Sequence, residues 1–324
     1  MHEPQFYIRT KERTDEKYGK RLESRSIPEL LDLGLVIIDK PIGPSSHQVS
    51  NFVGRILNIK KTGHLGTLDP NVSGVLPVLL GRATPAASFL IHKDKEYVGI
   101  INFHKEITKR KVENLFKKFT GKITQIPPIK SAVARRKRTR EIYSLKLLEM
   151  TGRNVLFKVS CEAGTYVRKL AHDIGIQSKV GANLTELRRI RVGKFIENNT
   201  LDLYDLSDAF WLWNEKKNEK ELRKNIIPLE NTIDLKKVWV SDNTVEAVCS
   251  GAQVMAPGIV KVQSDINIGD DVAIFTLKDE IVAFGEAIMR SENLVTEKKG
   301  KAIKIKRVII KRGTYPKAWK KKKE

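Results

Sequence analysis

The stretch that decides the fold is residues 63–76, GHLGTLDPNVSGVL, in which one carboxylate, Asp69, directly precedes Pro70. Proline fixes its own φ and disfavours helical backbone at the residue before it, so Asp69 is predicted to lie in a loop. Gly63, Gly66 and Gly74 permit conformations and close approaches that a side chain would block. By itself, an Asp-Pro pair among glycines is ordinarily a turn, and the rest of the chain decides whether it is more.

The charge balance indicates the class of partner. The chain has 324 residues, with 60 Lys and Arg against 38 Asp and Glu, and a net charge of +22 at pH 7. Such a surplus favours a polyanionic partner, most simply nucleic acid. The alternative is an adaptation for solubility in a lysine-rich proteome, and the clustering of arginines described below argues against it.

Cysteine usage and hydropathy indicate the compartment. Cys161 and Cys249 are far apart and show no CxxC spacing, so neither a disulfide framework nor a zinc site is predicted. Both are expected to be reduced, buried apolar residues. Because no apolar run is long enough to span a bilayer, no membrane association is expected, and the sequence predicts a cytoplasmic protein.

Apolar patterning predicts both helices and strands. Strands are expected at 35–38, 75–80, 95–103, 145–150 and 155–161, and helices at 47–57, 108–119 and 203–227. Ser45 or Ser46 is expected to cap the helix at 47–57. From about residue 232 the chain changes to short β-type runs, which are typical of a small barrel or sandwich.

These changes in pattern predict four segments. Residues 1–30 form an N-terminal extension, 31–231 a first domain, 232–311 a second, and 312–324 a basic tail. Phe6, Tyr7 and Ile8 are the apolar residues through which the extension would join the sheet of the second domain.

A lone carboxylate in a basic protein limits the chemistry. Metal-dependent nucleases and polymerases need several carboxylates to hold their ions, so no metal site is predicted. General acid–base chemistry would need a second titrating group. His64 is near in sequence, although a histidine in a glycine-rich loop is more often structural. A single carboxylate can instead act as a covalent nucleophile.

Such a nucleophile needs an oriented cation and, for a nucleotide substrate, an aromatic face. A buried arginine that pairs through two hydrogen bonds would orient the carboxylate, and Arg82 and Arg168 are the candidates with apolar surroundings. Tyr97 and Tyr166 are candidates for stacking on a base taken out of its helix. Each tyrosine is otherwise an ordinary half-buried aromatic.

Five motifs together resemble those of TruB-type pseudouridine synthases. They are IDKPIGPSS at 38–46, HLGTLDPNVSGVL at 64–76, KEY at 95–97, GTYVR at 164–168 and LRR at 187–189. The segment PPIKSAVARRKRTREIY at 127–143 is similar to the dyskerin branch, which includes the archaeal catalytic subunit of H/ACA ribonucleoproteins. The resemblance implies an α+β catalytic domain with a mixed, mostly antiparallel sheet, and a small all-β PUA-like barrel.

The resemblance also implies a role for each matched residue. Asp69 would be the nucleophile, Arg168 its partner, Tyr97 the platform for the flipped uracil, and Tyr166 a group near the base that takes part in late proton transfer. Three further residues would line or support the site: Leu187, His64 and Lys40. The family's reaction uses no cofactor and no metal.

The implied reaction breaks the N1–C1′ bond of a uridine and rejoins the base through C5. Attack of Asp69 on C1′, its attack on C6, and a glycal route all remain open. Basic contacts to phosphates would offset the cost of unstacking the base. The residues expected to make them are Lys130, Arg135, Arg136, Lys137, Arg138 and Arg140; the alternative is a solvated loop.

Two ways of choosing the uridine follow from the resemblance. A guide RNA, with small protein subunits and a PUA domain that grips its ACA end, would direct the enzyme to ribosomal RNA. A stand-alone tRNA pseudouridine-55 synthase would bind the T-loop directly. The absence of long lysine-rich extensions favours an archaeal source. A third hypothesis, from another class, is a non-catalytic RNA-binding scaffold.

Overall fold

The computed structural model describes residues 5–91, 93–127, 134 and 136–317. The strands are β1 (Phe6–Ile8), β2 (Gly34–Lys40), β3 (Thr62–His64), β4 (Ser73–Leu80), β5 (Lys95–Phe103), β6 (Gly121–Gln125), β7 (Arg138–Thr151), β8 (Asn154–Cys161), β9 (Ala182–Val192), β10 (Phe195–Ile196), β11 (Ile227–Pro228), β12 (Lys236–Val240), β13 (Val254–Met255), β14 (Ile259–Gln263), β15 (Asp271–Phe275), β16 (Ile281–Ala287) and β17 (Lys301–Val308). The α-helices are α1 (Ile27–Asp32), α2 (Ser46–Ile56), α3 (Ala87–Leu90), α4 (Lys109–Phe119), α5 (Val167–Ser178), α6 (Leu203–Lys216), α7 (Lys220–Asn225), α8 (Asp242–Cys249) and α9 (Ser291–Thr296). Short 3-10 segments cover Leu22–Ser24, Gly81–Ala86, Glu197–Asn199, Leu229–Thr232 and Ala256–Gly258.

The chain forms two compact units. The terminal unit contains the described residues of Met1–Leu35, Leu80–Leu90 and Leu222–Glu324, and the central unit contains Val36–Leu79 and Ile91–Glu221. This division differs from the predicted boundaries at residues 30 and 231. The reason is long-range packing that no local pattern reveals, such as the stacking of Phe89 on Phe284 with ring centroids 4.4 Å apart.

The sheet of the central unit is mixed. Its strand order is β2-β4-β9-β5-β8-β7-β6, with β3 beside β4 and β10 beside β9. Strand β5 runs antiparallel to both β8 and β9, whereas β4 runs parallel to β9. The α+β fold with a mixed sheet, predicted above, is therefore confirmed.

Strand β9 had not been predicted, and one predicted helix is wrong. The segment around the LRR motif forms β9 at the centre of the sheet, between β4 and β5. The helix expected over 203–227 is divided into α6 and α7, because Lys217 takes a left-handed conformation, with φ of 57°, and its N–H bonds to the carbonyl of Leu212.

The sheet of the terminal unit has the order β1-β14-β12-β15-β16-β17-β13. Strand β1, in the N-terminal segment, pairs with β14 in antiparallel register, Tyr7 opposite Val262. Strands β12 and β15 are parallel, and β15, β16 and β17 form an antiparallel run. Helices α8 and α9 interrupt the strands, a feature that the sequence-based prediction did not include.

Helix α2 begins where the sequence predicts, and its first turn holds the Asp69 loop. Ser45 is the N-cap: its hydroxyl accepts from the Gln48 N–H, and the Gln48 side chain accepts from the Ser45 N–H. The Ser46 hydroxyl accepts from the Leu68 N–H at 2.7 Å and donates to the Leu68 carbonyl at 3.0 Å. The residue before Asp69 is thereby tied to the start of α2.

A buried ion pair joins distant segments of the terminal unit. The Arg25 guanidinium donates to both carboxylate oxygens of Glu230, at 2.8 and 3.0 Å, and both side chains are buried. One of those oxygens also accepts from the Ile281 N–H at 3.1 Å. A buried charge that loses its partner is strongly destabilising.

Replacing Arg25 with methionine should lower the free energy of unfolding by roughly 3–5 kcal/mol, because Glu230 would be left as an uncompensated buried charge. Urea-induced unfolding followed by circular dichroism measures the change. The double variant Arg25→Met/Glu230→Met should recover much of the loss. The exposed pair Lys20–Glu29 supplies the control, since Lys20→Ala should cost less than about 1 kcal/mol. If Arg25→Met and Lys20→Ala lowered the free energy of unfolding equally, this account would be contradicted.

Candidate active site

The Asp69 loop, residues 65–72 between β3 and β4, is held on its buried side by Lys40. The Lys40 side chain is fully buried, and its Nζ donates to the carbonyls of Pro41, Pro70 and Val72 at 2.8, 3.2 and 2.8 Å. The Val72 N–H also bonds to the Asp69 carbonyl at 3.0 Å. The backbone after Asp69 is therefore fixed while its side chain is left to face outward.

Gly74 allows the loop's exit to approach β9. It has φ of +104° and pairs with Arg189, and a Cβ built on it would lie 2.2 Å from the Arg189 carbonyl oxygen. No side chain fits at that distance. The glycine is thus required for the parallel pairing of β4 with β9.

Asp69 and Arg168 are brought together across 99 positions of sequence. Arg168 Nη2 donates to Asp69 Oδ2 at 3.2 Å, and the two side chains are 57% and 62% exposed. The expectation of a buried guanidinium with two hydrogen bonds is wrong, since the pair is open to solvent and shows one contact. An exposed pair adds little stability, so its significance is geometric. It presents an oriented carboxylate that an incoming molecule can reach.

Arg82, the other candidate, has different partners within the terminal unit. Its Nε donates to Asp32 Oδ2 at 2.8 Å and its Nη1 to the Ile309 carbonyl at 3.0 Å. These contacts tie the 3-10 segment at Gly81–Ala86 to α1 and to the residues after β17.

Tyr97 lies on β5 directly opposite Arg189 of β9 and is only 7% exposed. Burial raises the pKa of its hydroxyl, so the group stays protonated at neutral pH. Leu187 is half-buried and opposes Gly99, two residues along from Tyr97. Because side chains two apart on a strand share a face, Leu187 and Arg189 line the same side of the sheet.

Tyr166 precedes the first residue of α5, and its backbone is clamped by Gln125. The Gln125 side chain is buried; its Oε1 accepts from the Tyr166 N–H at 3.0 Å and its Nε2 donates to the Tyr166 carbonyl at 3.2 Å. This clamp sets the entry of the helix that carries Arg168. Sequence reasoning missed Gln125, because a polar residue at the end of β6 gives no local signal.

Arg189 is the second residue that sequence reasoning missed. Its guanidinium is fully buried, with Nε donating to the Val75 carbonyl at 2.8 Å and Nη2 to the Gly66 carbonyl at 3.1 Å. Its Nη1 has no hydrogen-bond partner among the residues that the structure describes. Burial lowers its pKa. The LRR motif contained the signal, but only its leucine was assigned a role.

Lys95 and His64 complete the positive or potentially positive groups around Arg189. Burial, with the Arg189 charge second, lowers the pKa of Lys95 to about 8. Its Nζ donates to the Lys93 carbonyl at 2.7 Å. Burial likewise lowers the pKa of His64, so this imidazole is neutral at pH 7. The site thus combines an exposed carboxylate with buried cations.

Arg188, the middle residue of LRR, joins that motif to IDK. It donates to both carboxylate oxygens of Asp39, at 2.8 and 2.9 Å, and it also pairs with Glu197. Asp39 lies next to Lys40 at the end of β2, so two separate motifs are fixed together through their charged members.

The basic run expected to contact phosphates is only partly described. Lys130 and Arg135 lie outside the described residues, whereas Arg136 and Lys137 are exposed. Two further members lie on β7. Arg138 is opposite Gln125 of β6 in the register of the two strands. Arg140 is half-buried, and its Nη1 lies 3.4 Å from Glu162 Oε1. Arg140 therefore packs against the segment that leads into GTYVR.

The described part of the chain shows neither a metal cluster nor a membrane-spanning helix. No group of three or more His, Cys, Asp or Glu residues is placed to hold a metal ion there. Within that same part of the chain, no helix has both the length and the apolar character needed to cross a bilayer.

Family models match nearly the whole chain. The TruB family pseudouridylate synthase N-terminal domain matches residues 54–108 and 104–167, and the tRNA pseudouridylate synthase B C-terminal domain matches 168–234. A PUA domain matches 236–309, and a DKCLD (NUC011) domain matches 2–50.

The chain also matches relatives and solved structures over nearly their whole length. The "Probable tRNA pseudouridine synthase B" of Archaeoglobus fulgidus is 48% identical over 97% of each chain. A chain in the crystal structure of a Cbf5-Nop10-Gar1 complex is 44% identical, with a TM-score of 0.89 over 98% of this chain and 97% of that one. A chain in the structure of an H/ACA RNP bound to a substrate RNA containing 2′-deoxyuridine is 42% identical, with a TM-score of 0.89 over 98% of each. The motifs around Asp69, the fold and these matches agree: the chain belongs to the TruB family of pseudouridine synthases and carries a PUA domain.

Proposed function

We propose that this chain isomerises specific uridines in RNA with Asp69 as the nucleophile. The observation that carries the proposal is the 3.2 Å contact between Asp69 and Arg168, two residues from separate motifs that meet in an accessible site. In the reaction the N1–C1′ bond breaks and a C5–C1′ bond forms. The proton on C5 leaves and N1 gains one, so the product is an isomer of the substrate.

Asp69 has the access that a nucleophile needs and a backbone that cannot drift. Lys40 and Ser46 hold the residues on either side of it, while its side chain is 62% exposed. The buried charge of Arg189 lies behind the loop, bonded to the Gly66 carbonyl. The nucleophile is thus presented to the substrate in front of a fixed positive charge.

The remaining site residues supply the binding surface. Tyr97, rigidly held on β5, offers a ring edge or face to the flipped uracil, and Leu187 provides apolar lining beside it. Tyr166 lies two residues before Arg168, and Gln125 fixes its backbone, which positions it for proton transfer near the base. His64, neutral at pH 7, contributes a polar edge to the nucleotide without adding charge.

We further propose that a guide RNA and small protein subunits direct this chemistry. Two observations support it: the similarity covers 97% of a chain in a Cbf5-Nop10-Gar1 complex and 98% of a chain in an H/ACA RNP with substrate RNA. A guide selects the uridine by base pairing, so the protein needs mainly phosphate contacts, which its charge of +22 suits. The PUA domain would hold the ACA end of the guide. The archaeal source and the cytoplasmic location expected from the sequence are consistent with a guide-directed enzyme.

A second candidate function is the direct, guide-free modification of a tRNA T-loop. The guide-directed enzyme would instead act on ribosomal RNA. The name of the Archaeoglobus fulgidus relative, a probable tRNA pseudouridine synthase, favours it. The chemistry at Asp69 is the same for both substrates, so one chain can serve both.

Asp69→Asn should reduce pseudouridine formation by at least about a thousandfold, because the amide cannot act as a nucleophile. RNA affinity should stay within twofold. Pseudouridine is measured in the target RNA after reconstitution with guide and protein subunits. The control is Asp265→Asn, which alters a similarly exposed carboxylate in the PUA domain. Retained turnover in Asp69→Asn would refute the assignment of Asp69, whereas RNA binding without any turnover by the unaltered chain would favour the scaffold hypothesis.

Arg168→Ala should lower kcat by more than about a hundredfold, because the orientation and charge stabilisation of Asp69 are lost. Arg168→Lys keeps the charge without the planar fork and should retain an intermediate activity. Single-turnover kinetics separate this effect from binding. A large loss of RNA affinity with normal turnover would contradict the pairing role.

Guide dependence separates the two substrate classes. With guide and protein subunits, turnover of a ribosomal RNA target should exceed guide-free turnover of a tRNA T-loop at equal enzyme concentration. The reason is that base pairing supplies the binding free energy that phosphate contacts alone do not. Equal or faster guide-free modification of tRNA would make the stand-alone activity the principal one.

A further inference from the structure

Arg140 lies on the inward face of β7, although the sequence predicts that it contacts RNA phosphates. Its neighbours Thr139 and Glu141 are exposed, whereas Arg140 itself is half-buried and Ile142 is fully buried. Because side chains two apart on a strand point to the same side, Arg140 shares the side of Ile142. Arg136, which precedes the strand, is exposed. The basic run is therefore divided, and Arg140 belongs to the part that faces the protein.

The guanidinium of Arg140 lies directly over Gly164. A Cβ built on Gly164 would be 3.1 Å from the Nε and 3.2 Å from the Nη2 of Arg140. Gly164 has φ of +83°, a left-handed conformation that favours glycine. Arg140 Nε is buried and has no hydrogen-bond acceptor among the residues that the structure describes. The lack of a side chain at Gly164 is what allows the guanidinium to lie this close.

Glu162 takes part in the same contact. Arg140 Nη1 lies 3.4 Å from Glu162 Oε1, and Glu162 Oε2 accepts from the Glu141 N–H at 3.1 Å. The Glu162 N–H in turn donates to the Glu141 carbonyl at 2.9 Å. The Thr165 hydroxyl donates to the Glu162 carbonyl at 2.8 Å. Strand β7 therefore fixes the segment that leads into Tyr166.

The start of α5 needs this support, because it has no cap of its own. Tyr166 is the N-cap residue, and its side chain makes no capping hydrogen bond. Gln125 of β6 holds the Tyr166 backbone at 3.0 and 3.2 Å, and Arg140 holds the residues before it from β7, the strand that pairs with β6. Arg168 is the second residue of the helix, so its position depends on these contacts.

We propose that Arg140 is a positioning residue for Arg168, acting through Glu162 and Gly164, and that it is not a phosphate contact. The inference rests on the proposed function, because it requires that Arg168 pairs with Asp69 in the reaction. Without the Arg140 side chain, the first turn of α5 can shift, and the 3.2 Å contact between Arg168 and Asp69 is formed less often. A displacement of about 1 Å in a catalytic group can cost roughly a hundredfold in rate.

Arg140→Ala should lower the single-turnover rate of pseudouridine formation at saturating RNA at least about tenfold, while RNA affinity stays within about twofold. The full chain is reconstituted with guide and protein subunits, and RNA affinity is measured by filter binding at several salt concentrations. Loss of a phosphate contact would instead weaken binding and reduce the salt dependence by about one phosphate. Weaker binding by Arg140→Ala would therefore overturn the proposal, whatever the rate.

Glu162→Ala is a second variant, for which the two roles of Arg140 predict opposite results. A carboxylate repels phosphates, and its removal would also release the Arg140 guanidinium. If Arg140 bound phosphate, RNA affinity would rise. If Arg140 positions α5, the turnover rate should fall at least about threefold with no gain in affinity. A gain in affinity with normal turnover would contradict the positioning role.

The double variant Arg140→Ala/Arg168→Ala tests whether Arg140 acts through Arg168. It should be no slower than Arg168→Ala alone, because a misplaced Arg168 and a missing one lose the same interaction. Multiplying losses would show another path and would overturn the inference. A normal rate in Arg140→Ala beside a slow Arg168→Ala would defeat this inference alone, whereas normal turnover by Arg168→Ala would defeat the proposed role of Arg168 itself.

Arg153→Ala is the matched control. Arg153 is exposed in the turn after β7, where it donates to the His104 carbonyl at 3.0 Å. Its removal should change neither the rate nor the RNA affinity by more than about twofold. A loss equal to that of Arg140→Ala would show a general effect of removing an arginine and would overturn the assignment. Circular dichroism checks that each variant is folded; if Arg140→Ala does not fold, the result for Glu162→Ala decides.

Discussion

The central unit depends on two cations that are buried beneath the Asp69 loop. Lys40 and Arg189 are both fully buried, and each uses backbone carbonyls of residues 66–75 as its acceptors. A buried charge is tolerated only where hydrogen bonds replace its lost water, so each cation requires those carbonyls to stay in place. The carbonyls keep each cation buried, and each cation keeps the carbonyls in place. The loop that carries Asp69 is therefore held without using the side chain of Asp69.

The same arrangement explains how an exposed ion pair can be functionally precise. Arg168 and Asp69 contribute little to stability, because both are open to solvent. Their positions are set instead by the backbone: Gln125 clamps the entry to α5, and Ser46 and Lys40 fix the loop. Reactive groups can then stay accessible to RNA while buried residues behind them supply the order.

Much of this was predictable from sequence, and the exceptions have a common physical cause. The motifs predicted that Arg168 would pair with Asp69, and the two side chains do meet; apolar patterning predicted β5 with its observed bounds. Strand β9 was missed because several of its residues are arginines, so this central strand lacks the apolar pattern on which the prediction of strands relies. The roles of Gln125 and Arg189 depend on contacts with distant backbone atoms, and such contacts leave no trace in local sequence.

The division of the chain has a consequence for how the protein can be taken apart. The polypeptide passes from one unit to the other at residues 35, 79, 90 and 221, so neither unit is a continuous piece of sequence. Cutting between the family matches at residue 235 would leave the C-terminal fragment without β1, without the Phe89 ring that stacks on Phe284, and without Glu230, which accepts from the Ile281 N–H. Because the chain crosses between the two units four times, no single cut separates them. A PUA fragment excised in this way would lack part of its own sheet.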